Sequence, residues 1–306
     1  MTRTRAARGL AFAQLSTEAR NPRSLHLDRL STRAIVELVL DEDRRALAAA
    51  RRVSAAVARA AARAADCFAR GGRIVLAGAG TSGRLGVIEA AECPPTFGTD
   101  PARIRAVIAG GSDAVFAARE GAEDDEDAGR RAVLGLGRRD LLIGISASSV
   151  TPFVRAALAA ARRQGAATVL VTCARGVRGR GLADVAVVVD TGPEVLTGST
   201  RLKAGSATKA VLNAITTAAM VRQGKTYENL MVDLRPGSAK LRDRALRLVV
   251  RLGGVTEERA RDLLSAASGE TKTAIVMGRC RLSPAAARVR LRQAGGHLRR
   301  ALTRRG

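Results

Sequence analysis

Five short apolar runs constrain this chain most: RIVLAG (73–78), IRAVIAG (104–110), DLLIGIS (140–146), ATVLVT (167–172) and VAVVVD (185–190). They are rich in Val and Ile and nearly continuous in apolar character, as strands buried on both faces should be. The segments between them, such as TPFVRAALAAARRQG, have the apolar spacing of amphipathic helices. The alternation predicts an α/β fold with a five-stranded parallel sheet between two helical layers. Ahead of the first run, residues 28–70 read as helices, with Ser31 placed to cap the first and Gly71-Gly72 to end the series. After Asp190 a polar loop leads into a long helix, and from about Arg242 only short helical segments remain. The expected division is a domain over 1–240, N-terminal helices included, and a small helical C-terminal domain over 241–306.

No apolar run approaches the ~20 residues that span a bilayer, and the N-terminus lacks the sustained apolar stretch of a secretory signal. The four cysteines, Cys67, Cys93, Cys173 and Cys280, are scattered without CxxC spacing. A reduced, cytoplasmic protein with no membrane partner is the expectation. The net charge of +24 invites a nucleic-acid reading, and the tail from Arg279 carries nine Arg and no acid. Aromatics, on which an RNA-binding sheet stacks bases, are only 2% of the chain, so no specific nucleic-acid partner is expected. The two histidines, His26 and His297, have no metal-ligand spacing around them. Neither metal nor cofactor is expected, and any catalysis falls to carboxylates.

The stretch GAGTSGRLGVIEAAECPPTFG, Gly78 to Gly98, follows the first strand. Gly78, Gly80 and Gly83 spell GxGxxG, but the acid that would hold a dinucleotide ribose about 20 residues on is missing. Thr81 and Ser82 add hydroxyls at a helix start, which suits a compact monophosphate; a tight strand–helix turn without ligand is the alternative. The third strand is followed by ISASSVTPFV, where Ser146, Ser148, Ser149 and Thr151 gather at the carboxyl end of a parallel strand. A helix cap accounts for one such hydroxyl; two such loops in one sheet favour a sugar-phosphate pocket. Glu92 stands before Cys93-Pro94-Pro95, where consecutive prolines suggest a stiff turn that fixes the direction of a general acid. A second acidic group, REGAEDDEDAG, includes Glu123; such runs are commonly solvated helix starts.

These residues resemble a known family, the N-acetylmuramic acid 6-phosphate etherases of the sugar isomerase (SIS) fold superfamily. The likeness runs through TEARNP (17–22), DRLST (28–32), the Gly78–Gly98 stretch, EGAEDDEDAG, GPEVLTGSTRLKAG (192–205), NLMVD (229–233) and KTAIVM (272–277). It implies a three-layer SIS-type domain and cleavage of the D-lactyl ether of N-acetylmuramic acid 6-phosphate. The resemblance assigns proton donation to Glu92 and a second catalytic role to Glu123. It gives Gly80, Thr81, Ser82, Ser148 and Thr151 to the phosphate. Arg201 and Lys203 would close over anionic groups, or brace a subunit boundary. It also implies a homodimer with shared sites. Where the family reads AASGRTPYV this chain has SASSVTPFV, so Ser149 replaces a glycine and Val150 an arginine. Losing that glycine strains a loop that needs positive φ. The alternative from a different class is a non-catalytic sugar-phosphate-binding regulator; retention of both Glu92 and Glu123 favours catalysis.

Overall fold

The structure, a computed structural model, describes residues 15–175, 181–234 and 237–303. Two compact units divide the chain. The first takes the chain to Ala90 together with Ile104–Thr216, and the second takes Ala91–Arg103 and the chain from Thr217.

The first unit opens on helices α1 (Thr32–Arg52) and α2 (Ser54–Ala69). Ser31 caps α1 as its position predicted, its hydroxyl accepting from the Ala34 amide at 3.3 Å. Gly71, at φ +76°, turns the chain out of α2. Strand β1 (Ile74–Gly78) then leads into α3 (Gly80–Phe97) and β2 (Ile104–Ile108). The short helix α4 (Glu126–Arg131), β3 (Leu141–Ile145), α5 (Pro152–Arg163), β4 (Ala167–Thr172) and β5 (Val185–Val188) follow, and then the long α6 (Lys203–Arg222).

All five strands are parallel and lie in the order β2-β1-β3-β4-β5. Every residue of β1 and β3 is buried, whereas β2 is buried only at its two ends, with Arg105 exposed between them, and β5 alternates buried with partly open positions. The difference is positional, since β2 and β5 are the edges. The core beneath the sheet joins Val75, Leu142 and Leu170 to Phe153, Val154 and Leu158 of α5.

Within the second unit, a two-stranded hairpin of β6 (Thr226–Tyr227) and β7 (Leu230–Met231) precedes α7 (Ala239–Gly253), α8 (Glu257–Ala266), α9 (Thr271–Cys280), α10 (Pro284–Gln293) and α11 (Leu298–Thr303). Ser238, Thr256 and Ser283 each cap the helix they precede through a side-chain oxygen. Val249, Ile275, Val276 and Leu298 form the centre of its core. Two of the motif segments have a structural task here. The Lys272 ammonium donates to the carbonyls of Gly224 and Gly296 and stands 3.1 Å from Asp233, which also holds Lys225 at 2.7 Å. Burial pushes Lys272 below the ordinary lysine value, and Asp233 opposes that shift.

One local expectation is corrected. The chain does not turn at Cys93-Pro94-Pro95: α3 runs through both prolines to Phe97. The prolines fall in the helix's last turn, where their missing N–H groups free only the carbonyls of Ala90 and Ala91. Gly98 at φ +61° is what ends the helix, packed so closely that a Cβ there would stand 2.1 Å from the Asp233 carbonyl oxygen.

Candidate functional site

In the observed strand order, the chain leaves β1 toward one side and β3 toward the other, so the order reverses between these neighbours. Open α/β sheets bind ligands at that reversal, outside the carboxyl ends of the strands. Gly78 ending β1 is in register with Ile145 ending β3, so the two loops emerge side by side.

The glycines of the first loop have separate tasks. A Cβ on Gly83 would stand 2.5 Å from Ile108 Cγ1 and 2.8 Å from the Gly78 carbonyl oxygen, so Gly83 lets α3 pack onto the sheet. Gly80 has φ +52° and open space where its Cβ would be; it makes the turn and leaves room beside the backbone. The bond from the Gly83 amide to the Ala79 carbonyl starts the helix, leaving the earlier amides without intrahelical acceptors. Thr81 and Ser82 are partly exposed at this helix start. Arg84, the cation of the same stretch, is committed to the carbonyls of Val115 and Ala114, each at 2.8 Å.

The second loop is internally tied. Ser146 and Thr151 share a hydrogen bond of 2.8 Å between their hydroxyls, and the Val150 amide donates to Ser148 Oγ at 3.4 Å. The Ala147 carbonyl accepts from the Cys173 amide and the Thr172 hydroxyl, which anchors the loop to the end of β4. Thr151 holds the cap position of α5 without bonding the helix amides, and Pro152 occupies the first helical position. The amides of Phe153 and Val154 therefore open toward the loop uncapped. Ser149 adopts φ +61°, the left-handed conformation expected of the glycine it replaces.

Glu123 lies in a single 3-10 turn, Ala122–Asp124, entered through Gly121 at φ +73°. This turn packs on α5. The following helix α4 seats against the start of α5 so closely that a Cβ on Gly129 would meet the Phe153 carbonyl oxygen at 2.2 Å. The acidic segment is thus fastened to the helix that the second loop heads. Glu123 itself is exposed, and so is Glu92, which belongs to the part of α3 assigned to the second unit.

The two expected cations differ. Arg201 is exposed. Lys203 is only 3% exposed and its ammonium is paired with Glu42 of α1, which also takes Arg23 at 2.7 Å and the Asn21 amide at 3.0 Å. Burial alone would raise Glu42, but the hydrogen bonds from Lys203, Arg23 and Asn21 outweigh it and hold the carboxyl below its ordinary value. Glu194 caps α6 from nine residues upstream, accepting from the amides of Lys203 at 3.2 Å and Ala204 at 2.9 Å; its burial raises its pKa. Asn21 also donates to the Pro193 carbonyl, and Ser24 to that of Val195. Thus TEARNP and GPEVLTGSTRLKAG are two sides of one brace. Sequence reasoning did not single out Glu42 or Glu194, nor Glu89, a buried carboxylate on α3 that accepts from the Thr216 hydroxyl. Among the described residues no group of three or more His, Cys, Asp and Glu side chains could hold a metal, and no helix is long and apolar enough to cross a membrane.

The five-stranded parallel sheet with hydroxyl-bearing loops at its point of reversal belongs to an SIS-type domain, since the glucokinase regulatory protein N-terminal SIS domain matches residues 53–162. Similarity to full-length proteins is closer. The chain is 47% identical to the N-acetylmuramic acid 6-phosphate etherase of Geobacillus thermodenitrificans, over 94% of this chain and 98% of that one. It is 48% identical to that of Cutibacterium acnes, over 93% and 94%, and 46% identical to that of Yersinia pestis, over 96% and 100%. The chain belongs to the N-acetylmuramic acid 6-phosphate etherase family.

Proposed function

We propose that this enzyme cleaves the D-lactyl ether of N-acetylmuramic acid 6-phosphate, giving N-acetylglucosamine 6-phosphate and D-lactate. The observation that supports this reading most is the pair of adjoining loops at the ends of β1 and β3, with uncapped helix amides and four nearby hydroxyls. Amides at a helix start and neutral hydroxyls suit a compact phosphate monoester. Gly80, Thr81, Ser82, Ser148 and Thr151 hold that phosphate, and Arg201 is left free to meet an anionic group of the substrate.

In the open-chain sugar, the aldehyde at carbon 1 acidifies the proton on carbon 2. A base removes it, and the electron pair expels the ether oxygen from carbon 3. A general acid protonates the departing lactate oxygen, and water then adds at carbon 3 while carbon 2 regains a proton. Glu92 serves as the acid and Glu123 as the base, with the roles reversed for water addition. Proton transfers account for the whole sequence, and neither a metal nor a redox cofactor is needed. A second copy of the chain completes the site and shields these two exposed carboxylates from water. The protein works in the cytoplasm, in the recycling of cell-wall murein.

The reading is tested by incubating the native chain with N-acetylmuramic acid 6-phosphate in oxygen-18 water. Elimination and hydration place solvent oxygen on carbon 3 of the sugar and release unlabelled D-lactate. Label in the lactate would instead mean attack on the lactyl carbon, and absence of lactate would remove the enzyme reading altogether.

A further inference from the structure

The second unit contains a cavity of about 640 Å³ that no part of the ether chemistry uses. Its volume is that of a small-molecule site. Four cations line it, Lys225, Lys272, Arg288 and Arg292, against two carboxylates, Asp233 and Glu270. The imbalance is sharpest at Asp233, where one carboxylate oxygen answers two ammonium groups, Lys225 at 2.7 Å and Lys272 at 3.1 Å. Both lysine side chains are largely withdrawn from water, at 18% and 11% exposure. Burial lowers the Lys272 pKa, Asp233 opposes the shift, and the nearby Lys225 charge lowers it further. For the fold alone, Lys272 would neutralise Asp233. A second, half-desolvated ammonium beside the pair costs free energy that a bound anion would return.

The donors left over say which anion. Lys272 is fully engaged by Asp233 and the carbonyls of Gly224 and Gly296. Lys225 donates from its ammonium to Asp233 alone among the described residues, which leaves two of its N–H groups open. Arg288 gives Nε to Glu270 at 2.9 Å and one terminal nitrogen to the Ala267 carbonyl at 3.4 Å. Arg292 is exposed and makes no ion pair among the described residues. Glu270 precedes α9 without capping it, its carboxylate being turned to Arg288 and the Thr273 hydroxyl. The first backbone bond of α9 runs from the Ala274 amide to the Glu270 carbonyl, so the amides of Thr271, Lys272 and Thr273 have no acceptor within the helix. An ammonium, a guanidinium fork and open amides together suit the several acceptor oxygens of a phosphate group.

We propose that this cavity is a second anion site, holding a phosphate group, free or carried by a small metabolite, among Lys225, Arg292 and the start of α9. It is separate from the sugar-phosphate site proposed above: every residue named here belongs to the second unit, and the loops after β1 and β3 belong to the first.

The full chain is titrated by calorimetry with inorganic phosphate and, separately, with N-acetylglucosamine 6-phosphate, and the melting temperature of each variant is taken alongside. Ser82→Glu puts a carboxylate into the loop after β1 and blocks the first site. Arg292→Glu reverses an exposed, unpaired charge, and Lys225→Met leaves Asp233 paired with Lys272, so both are expected to melt close to the native temperature. Ser82→Glu should keep one binding event per chain, and adding either second-unit variant should weaken that event by about tenfold or more. Tighter retained binding of the sugar phosphate would name a phosphorylated metabolite as the source, and equal or weaker binding would name free phosphate; both uphold the site. Loss of all binding in Ser82→Glu, or a retained event indifferent to Arg292→Glu and Lys225→Met, would overturn the proposal. A failed sugar-phosphate reading would look different: the native chain would then show only the event that Ser82→Glu leaves intact.

Discussion

Lys203 is the residue whose structural and functional readings part most cleanly, and Lys203→Met separates them. Its side chain is 4% exposed and that of Glu42 3% exposed, so the pair is desolvated. Removing one partner of such a pair costs about 3–5 kcal/mol, because the other charge stays buried without its counterion. Glu42 would keep Arg23 at 2.7 Å and Asn21 at 3.0 Å, which places the cost near the lower end, about 3 kcal/mol. At roughly 2–4 °C per kcal/mol for a chain of this size class, the melting temperature should fall by about 6–12 °C. Calorimetric melting of the full chain reads this directly, and substrate KM is measured at a temperature where both proteins are folded. Adding Glu42→Gln removes the stranded carboxylate, so the double variant should lose about 1 kcal/mol or more less than the single losses sum to. A variant that melts within about 1 °C of native while its KM rises tenfold would refute the brace and return Lys203 to the substrate.

Three further outcomes follow from the same geometry. Glu42 and Asp140 both have folded pKa values below their ordinary 4.5 and 3.8, despite burial, because of their hydrogen bonds to basic groups and, for Asp140, to backbone amides. The stability they contribute is fully present above those ordinary values and is lost as pH falls through the folded ones, so melting temperature should drop steeply below about pH 4.5. Gly129→Ala should destabilise by about 1–3 kcal/mol and depress turnover, since a Cβ 2.2 Å from the Phe153 carbonyl must push α4, and the Glu123 turn before it, off α5; melting and lactate release check it. Burial pushes the Cys173 thiol up to about 11, so it should resist alkylation by iodoacetamide at pH 8 in the folded chain and react only on denaturation, as peptide mapping would show.

The five strands were legible because burial on both faces leaves uninterrupted runs such as DLLIGIS, and β3 is buried at every position. Even the partial opening of β2, visible at Arg105, was hidden only because edge position is a property of strand order. The positive φ of Ser149 was foreseen from the glycine it displaces, a purely local constraint. Pairings across long separations were not legible. Glu42 and Lys203 are 161 positions apart, and no period or spacing links them. That is why Lys203, read locally as a loop cation, proved to be an interior one. The Pro94-Pro95 pair misled for a different reason: proline breaks a helix interior, whereas here the helix had only one turn left to lose.

The central claim is that two carboxylates, Glu92 and Glu123, carry an ether cleavage whose substrate is anchored by the loops after β1 and β3. Lactate release from N-acetylmuramic acid 6-phosphate, measured for the native chain, Glu92→Gln and Glu123→Gln, tests it most directly. Both side chains are exposed in the single chain, so neither substitution should shift the melting temperature by more than about 1–2 °C. The account predicts lactate from the native chain and a fall of about 10²–10⁴-fold in kcat for each variant. Lactate release at native rate in either variant would contradict it.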